Sequence, residues 1–255
     1  IRDHYPASSR NRSRIKPGRA IRDWAVGETD MHIGLIGGIG PGATDYYYKG
    51  LIRALAQRGK DLDLTIAHAD APTLIGNLGQ GDNAGQAAIF RKLVGRLQAA
   101  GAETAAITSV AGHFCVDELI KISPLPMIEI FGAVEAAMTA RGLTKVGLIG
   151  TRQVMESSVY GKLPTVEFVT PAGVDLDLVH QSYVDMAMAG QVTGAQREAF
   201  FTVGSRLCEN HGAEAIMLGG TDLFLAFDGR DCGFDVVDCA QIHIDALAQA
   251  AAEGS

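Results

Sequence analysis

From Met31 onward, short apolar runs alternate with longer stretches whose apolar residues recur at helical spacing. IGLIG is followed by a helical pattern from Asp45 to Arg58, LTIAHA by one from Gly85 to Ala100, and TAAITS by one from Val116 to Ile122. The second half repeats the theme, with KVGLIG, VEFVTP, AIMLGG and DVVDCA reading as strands. Parallel strands need crossover connections, so this alternation predicts a parallel α/β sheet. Apolar runs without polar alternation suit strands covered by helices on both faces.

Two fragments recur in the same order. GLIG stands at Gly34–Gly37 and again at Gly147–Gly150, 113 positions later; GAE stands at Gly101–Glu103 and again at Gly212–Glu214, 111 positions later. The shared order and nearly shared offset predict two duplicated α/β lobes. The expected division is 31–129 plus 237–255 for the first lobe and 130–236 for the second. In each half GAE leads into an apolar strand that ends eight residues after its glycine, at Ser109 and at Gly220. Ligands of open α/β sheets bind beyond the carboxyl ends of the strands. These two positions are therefore expected to face each other across an interlobe cleft.

Residues 1–30 carry much of the chain's arginine with few aliphatic residues and no period, and read as a floppy leader ahead of Met31. Asp3, Asp23, Glu28 and Asp30 interrupt its positive charge, against a nucleic-acid-binding tail or a targeting peptide. Of the 255 residues, 47% are hydrophobic, enough for a substantial core. A net charge of -7 disfavours a broad nucleic-acid surface and leaves small-molecule chemistry. No apolar run approaches the roughly 18–20 residues that span a bilayer, so no membrane partner is expected. The four cysteines, Cys115, Cys208, Cys232 and Cys239, are too few for a disulfide scaffold and suit the reducing cytoplasm. Cys208-x-x-His211 and His113-x-Cys115 supply too few ligands for zinc, and no metal is expected.

The first strand runs into Gly37-Gly38-Ile39-Gly40-Pro41-Gly42-Ala43-Thr44. This run lacks the Gly-Lys-Ser/Thr ending of a phosphate loop and the Gly-x-Gly-x-x-Gly spacing of a dinucleotide turn. Pro41 fixes a turn and donates no amide. The expectation is a glycine turn at which Gly38, Gly40 and Thr44 bring backbone amides to a small carboxylate at the following helix start. A tight turn without a ligand is the alternative.

The segments MHIGLIGGIGPGATDYYYKGLI, GLTKVGLIGTRQVMESSVYGKL, AIMLGGTDL and DVVDCAQIHIDALAQAA together resemble the aspartate/glutamate racemase superfamily, especially its broad-specificity amino-acid racemases. The resemblance covers essentially Met31 to the C-terminus. It implies two pseudo-symmetric lobes around a cleft, frequent homodimers, no cofactor, and a small carboxylate or amino-acid substrate. In that family two thiols on opposite lobes flank the substrate's α-carbon; one removes the proton and the other supplies one from the opposite face. Neither thiol is present here. The run that matches the first motif is Ser109-Val110-Ala111-Gly112-His113, with a hydroxyl where the thiol would be, as in some relatives. The run that matches the second is Gly219-Gly220-Thr221-Asp222, and Gly220 has no side chain to move a proton.

Ser109, His113, Thr221 and Asp222, with Thr108 beside them, are the remaining polar groups near the expected cleft and the catalytic candidates. His113 has the intrinsic pKa for acid–base work, and Asp222 can orient a partner or polarise substrate. Each also has a structural reading, His113 as a cap on the helix near Cys115 and Asp222 as a cap on the helix after AIMLGG. The resemblance places Thr151 and Arg152 at substrate carboxylates, with Tyr160 and Lys162 following in the helix. A cation there suits an acidic substrate, and a solvated helix face is the other reading of Lys162. His68–Thr73 matches a loop in which some aspartate racemases present an arginine, but Leu74 is nearest here, which disfavours acidic specificity. Three functions stay open: an isomerase of a small amino or hydroxy acid with altered acid–base chemistry, a lyase or isomerase using one base, and a non-catalytic carboxylate binder.

Overall fold

The computed structural model describes residues 31–253, and the leader expected over residues 1–30 lies outside the described residues. Among the described residues seven strands form two sheets. β1 (Ile33–Gly37), β2 (Leu64–His68) and β3 (Thr104–Ile107) lie in the order β2-β1-β3. β4 (Lys145–Ile149), β5 (Glu167–Val169), β6 (Ala215–Leu218) and β7 (Val236–Asp238) lie in the order β5-β4-β6-β7. Every pairing is parallel, so the α/β reading holds.

Helices cover both faces of each sheet. On the first, α1 (Pro41–Gln57) and α10 (Cys239–Glu253) bury Tyr47, Leu51, Ile244 and Leu247 against Ile33 and Leu35. The opposite face holds Phe90 and Leu97 of α3 (Asn83–Ala99) and Leu119 of α4 (Val116–Ile122) against Ile36 and Ile107. α5 (Ile130–Ala140), α7 (Val174–Ala189) and α8 (Gly194–His211) cover the second sheet with Val134, Val179, Phe200 and Val203. Each such side chain contributes about 1.5–3 kcal/mol on burial. The chain returns to the first lobe after Cys239, which opens α10 instead of ending a strand.

The duplicated fragments do matching physical work. Gly34 lets Leu97 of α3 lie on β1, and Gly147 lets Leu207 of α8 lie on β4; an added Cβ would meet those leucines at 3.0 and 3.2 Å. Gly101 and Gly212 end α3 and α8 with φ of 100° and 73°, the left-handed region glycine enters freely. Glu103 then accepts the His32 N–H at 2.9 Å, and Glu214 accepts the Thr144 N–H at 2.7 Å, each just before the first strand of its lobe. Both repeats therefore encode one helix-to-strand corner.

Two local readings change. His68–Thr73 is not all loop, because α2 (Ala71–Gln80) begins within it. Asp70 caps that helix by accepting the Thr73 N–H, and Pro72 sits in the first turn, where its missing amide costs nothing. Tyr160 and Lys162 lie beyond the helix, since α6 (Arg152–Glu156) stops earlier. Ser158, Val159 and Tyr160 then take φ of 47°, 58° and 59°. Such a left-handed run costs about 1–2 kcal/mol per residue. It is tied to the first lobe by the Tyr160 O–H, which donates to the Ala111 carbonyl at 3.4 Å, and by Lys162 paired with Asp117 of α4.

Candidate functional site

A cavity of about 350 Å³ opens between the lobes at the carboxyl ends of the strands. Gly40 and Ser109 line it from the first lobe, and Thr151, Arg152, His180, Tyr183 and Asp222 from the second. The strands themselves end two residues before Ser109 and Gly220, and short 3-10 turns follow, Ala111–Cys115 and Thr221–Leu223. Ser109 Oγ accepts the Gly112 N–H at 3.3 Å, which leaves its O–H to donate into the cleft.

At the matching second-lobe position the missing side chain has been replaced in space by another residue. A Cβ on Gly220 would lie 2.3 Å from Tyr183 Cε2 and 2.6 Å from its hydroxyl oxygen. Gly220 has φ of -151°, an extended backbone open to any residue, so the ring of Tyr183 is what excludes a side chain there. The Tyr183 O–H donates to Asp222 Oδ2 at 3.4 Å. Burial, with Asp222 beside it, holds the phenol neutral by raising its pKa well above the ordinary value. Asp222 is 2% exposed, and burial pushes its carboxyl up to about 6 despite the hydrogen bonds it accepts from Ala43 and Tyr183.

The glycine turn meets a carboxylate, and that carboxylate belongs to the chain. Asp222 Oδ1 accepts the Ala43 N–H in the first turn of α1 at 3.0 Å, across 179 residues. Asp222 thus caps a helix of the opposite lobe, not the one after AIMLGG. Gly40, with φ of 86°, fits beneath it; an added Cβ would lie 2.4 Å from Asp222 Oδ2. Gly38 and Thr44 do not reach the cleft. The Gly38 N–H donates to Thr44 Oγ1 at 2.9 Å, the Thr44 O–H donates to the Gly40 carbonyl, and both residues line a separate hollow beside Tyr48 and His68.

His113 also stands elsewhere than expected. It is fully buried, its Nδ1–H donates to the Ser109 carbonyl at 2.7 Å, and Nε2 accepts the Ile130 N–H at 3.3 Å. It therefore caps α5 rather than the helix near Cys115, and burial pushes its pKa down to about 4. His243 of α10 lies 6.2 Å away, centroid to centroid, bonded to Tyr47 and the Ile128 carbonyl, with its pKa pushed down by burial to about 3. Thr221 joins the lobes, its O–H donating to the Thr108 carbonyl at 3.0 Å, while the Thr108 O–H donates to Ile36. The four cysteines lie off the cleft; burial pushes the Cys115 thiol up to about 12.

Of the residues expected at substrate carboxylates, Thr151 and Arg152 line the cleft and Lys162 does not. Thr151 Oγ1 caps α6 through the Val154 N–H, and the Arg152 guanidinium pairs with Asp177 and Glu156. The cleft residues missed from the sequence include Tyr183 and His180. Nδ1 of His180 accepts the Arg152 backbone N–H at 3.2 Å, so in the neutral ring Nε2 carries the proton. Both sit on one stripe of α7, which continues through Val184, Ala187 and Met188 at helical spacing. That stripe was the available signal.

Residues 36–247 match the model of the Asp/Glu/Hydantoin racemase family. A Yersinia pestis protein provisionally designated an Asp/Glu racemase superimposes with a TM-score of 0.76 at 26% identity, over 87% of this chain and 99% of that one. An aspartate racemase homologue from Pyrococcus horikoshii gives 0.72 at 28% identity, over 86% and 98%. The fold is also that of a Francisella tularensis glutamate racemase solved with D-glutamate, with a TM-score of 0.58 at 18% identity over 86% and 80%. The repeated lobes, the glycine turn at their junction and the match over residues 36–247 make this chain a member of the Asp/Glu/hydantoin racemase family.

Proposed function

We propose that this chain is a cofactor-independent acid–base enzyme that works on a small carboxylic acid from one face, with Asp222 as the base. One observation carries the reading. The titratable side chains that line the cleft, Asp222 with Tyr183 hydrogen-bonded to it and His180, all come from the second lobe, opposite a first lobe that offers the Ser109 hydroxyl. Above about pH 6 Asp222 is ionised and able to accept an α-proton. The C–H electron pair then moves into the bond toward the substrate carboxylate, forming an enolate-like state. Charge on its oxygens has two available donors, the Ser109 O–H and His180 Nε2–H. Return of the proton from Asp222 restores the starting enantiomer, whereas loss of a β-substituent or migration of the double bond gives a lyase or isomerase product.

The test is solvent exchange. Incubated in deuterium oxide with a panel of small amino and 2-hydroxy acids, the protein is expected to wash label into the α position of one enantiomer without inversion, followed by NMR. Asp222→Asn is expected to slow this by about 10²–10⁴-fold. Inversion would establish proton transfer on both faces and defeat the one-base reading. Saturable binding without exchange would leave the chain as a carboxylate-binding protein.

A further inference from the structure

We infer that the cleft takes a monocarboxylic acid with an apolar side chain of several carbons, not an acidic amino acid; the inference rests on the acid–base reading above and names its substrate class. The cavity changes character along its length. α7 presents a stripe at i, i+3, i+4, i+7 and i+8 that begins with His180 and Tyr183 and ends with Val184, Ala187 and Met188. α2, from the other lobe, lines the same cavity with Leu74, Ile75 and Leu78. Ser109, Thr151 and Asp222 follow strand ends, with His180 and Tyr183 beside them, and apart from Ile39 and Ala111 the apolar lining comes mainly from the two helices. A carboxylate headgroup fits the first region, where the Ser109 O–H and His180 Nε2–H can receive it, and an apolar body fits the second.

Charge points the same way. Among the described residues Arg152 is the only lysine or arginine that lines the cavity, and Asp177 and Glu156 already hold its guanidinium. The second carboxylate of aspartate or glutamate would find no unshared lysine or arginine among the described lining residues and would face leucine, isoleucine and methionine, a costly place for an unpaired charge. Size agrees as well. At about 30 Å³ for a water-sized group, 350 Å³ holds on the order of ten non-hydrogen atoms. Ile75 and Met188 are 64% and 85% exposed, and a bound side chain that covers them removes apolar surface from water.

Isothermal titration of the full chain with both enantiomers of leucine, phenylalanine and their 2-hydroxy analogues, against aspartate and glutamate, tests this. The apolar acids are expected to bind about tenfold or more tightly than aspartate or glutamate. Ile75→Ser with Met188→Ser, at exposed positions that leave the core intact, is expected to weaken apolar-acid binding about fivefold and to leave aspartate unchanged. Equal or tighter binding of aspartate or glutamate overturns the inference, as does a double variant that leaves apolar-acid affinity untouched. Equal binding of leucinamide and leucine would overturn the carboxylate assignment. Apolar acids that bind without α-exchange in deuterium oxide would sustain the inference and sink the one-base chemistry. Failure of every acid to bind would end both.

Discussion

The turn after β3 and the turn after β6 share a backbone plan and carry opposite chemistry. Each strand end leads through a 3-10 turn into a short helix, α4 in the first lobe and α9 (Phe224–Phe227) in the second. In the first lobe Ser109 lines the cleft, and His113 of the turn faces inward to cap α5. In the second lobe Gly220 is bare, Tyr183 fills its space, and Asp222 reaches across to α1. The repeats keep the corners that build each sheet, while the titratable side chains that line the cleft come from one side. A pseudo-twofold scaffold therefore does not entail twofold chemistry.

The largest expected effect sets the two turns against each other by pH. His113 and His243 have folded pKa values of about 4 and about 3, below the ordinary 6.5, so the unfolded chain binds protons first. Their contribution to stability is complete above pH 6.5 and is lost as pH falls toward 4, at up to about 1.4 kcal/mol per pH unit for each ring. Asp222 has the opposite sign. Its folded value of about 6 exceeds the ordinary 3.8, so it favours folding when protonated and that contribution is lost as pH rises through 6. Urea denaturation from pH 4 to 8 is expected to show Asp222→Asn gaining on the parent up to pH 6 and holding a constant difference above it. A pH-independent difference would mean that Asp222 does not titrate in this window.

Restoring side chains at the two strand ends comes next. Ser109→Cys is expected to change stability by less than about 1 kcal/mol, because a side chain already occupies that space. Gly220→Cys drives a Cβ into the Tyr183 ring and is expected to cost about 1–3 kcal/mol. Tyr183→Ala in the Gly220→Cys background is expected to recover part of that loss. Additive losses in the double-mutant cycle would show that the ring and the missing side chain do not compete for one space.

Tyr183→Phe removes only the O–H that donates to Asp222, with an expected cost of about 0.5–1.5 kcal/mol. Without that donor the Asp222 carboxyl titrates higher, so the lower limb of a pH–rate profile is expected to move up. An unmoved limb would separate the phenol from the base. Lys162→Ala is expected to have the smallest effect, 0 to about 1 kcal/mol in thermal denaturation, because Asp117 is largely exposed.

Hydrophobic run length, glycine position and the spacing of repeated fragments are properties of the sequence alone, and they determined the parallel α/β sheets, the twofold repeat and the placing of a cleft at Ser109, whereas Gly220 lies behind Tyr183 and does not line it. Gly40, Ser109, Thr151, Arg152 and Asp222 were legible at that cleft because each stands at or just beyond a strand end. Gly38, Thr44, His113, Thr221 and Lys162 were read from the same loops, yet they do not line the cleft, and their polar atoms bond Thr44, Gly40, Ile130, Thr108 and Asp117. Only the tertiary structure decided that difference. Which way a buried polar group turns depends on donors and acceptors from elements far apart in the chain, as with Ala43 and Asp222. The same holds for Tyr183, since whether a glycine leaves a void or a neighbour fills it is settled by packing between β6 and α7, and no residue pattern around Gly220 records it.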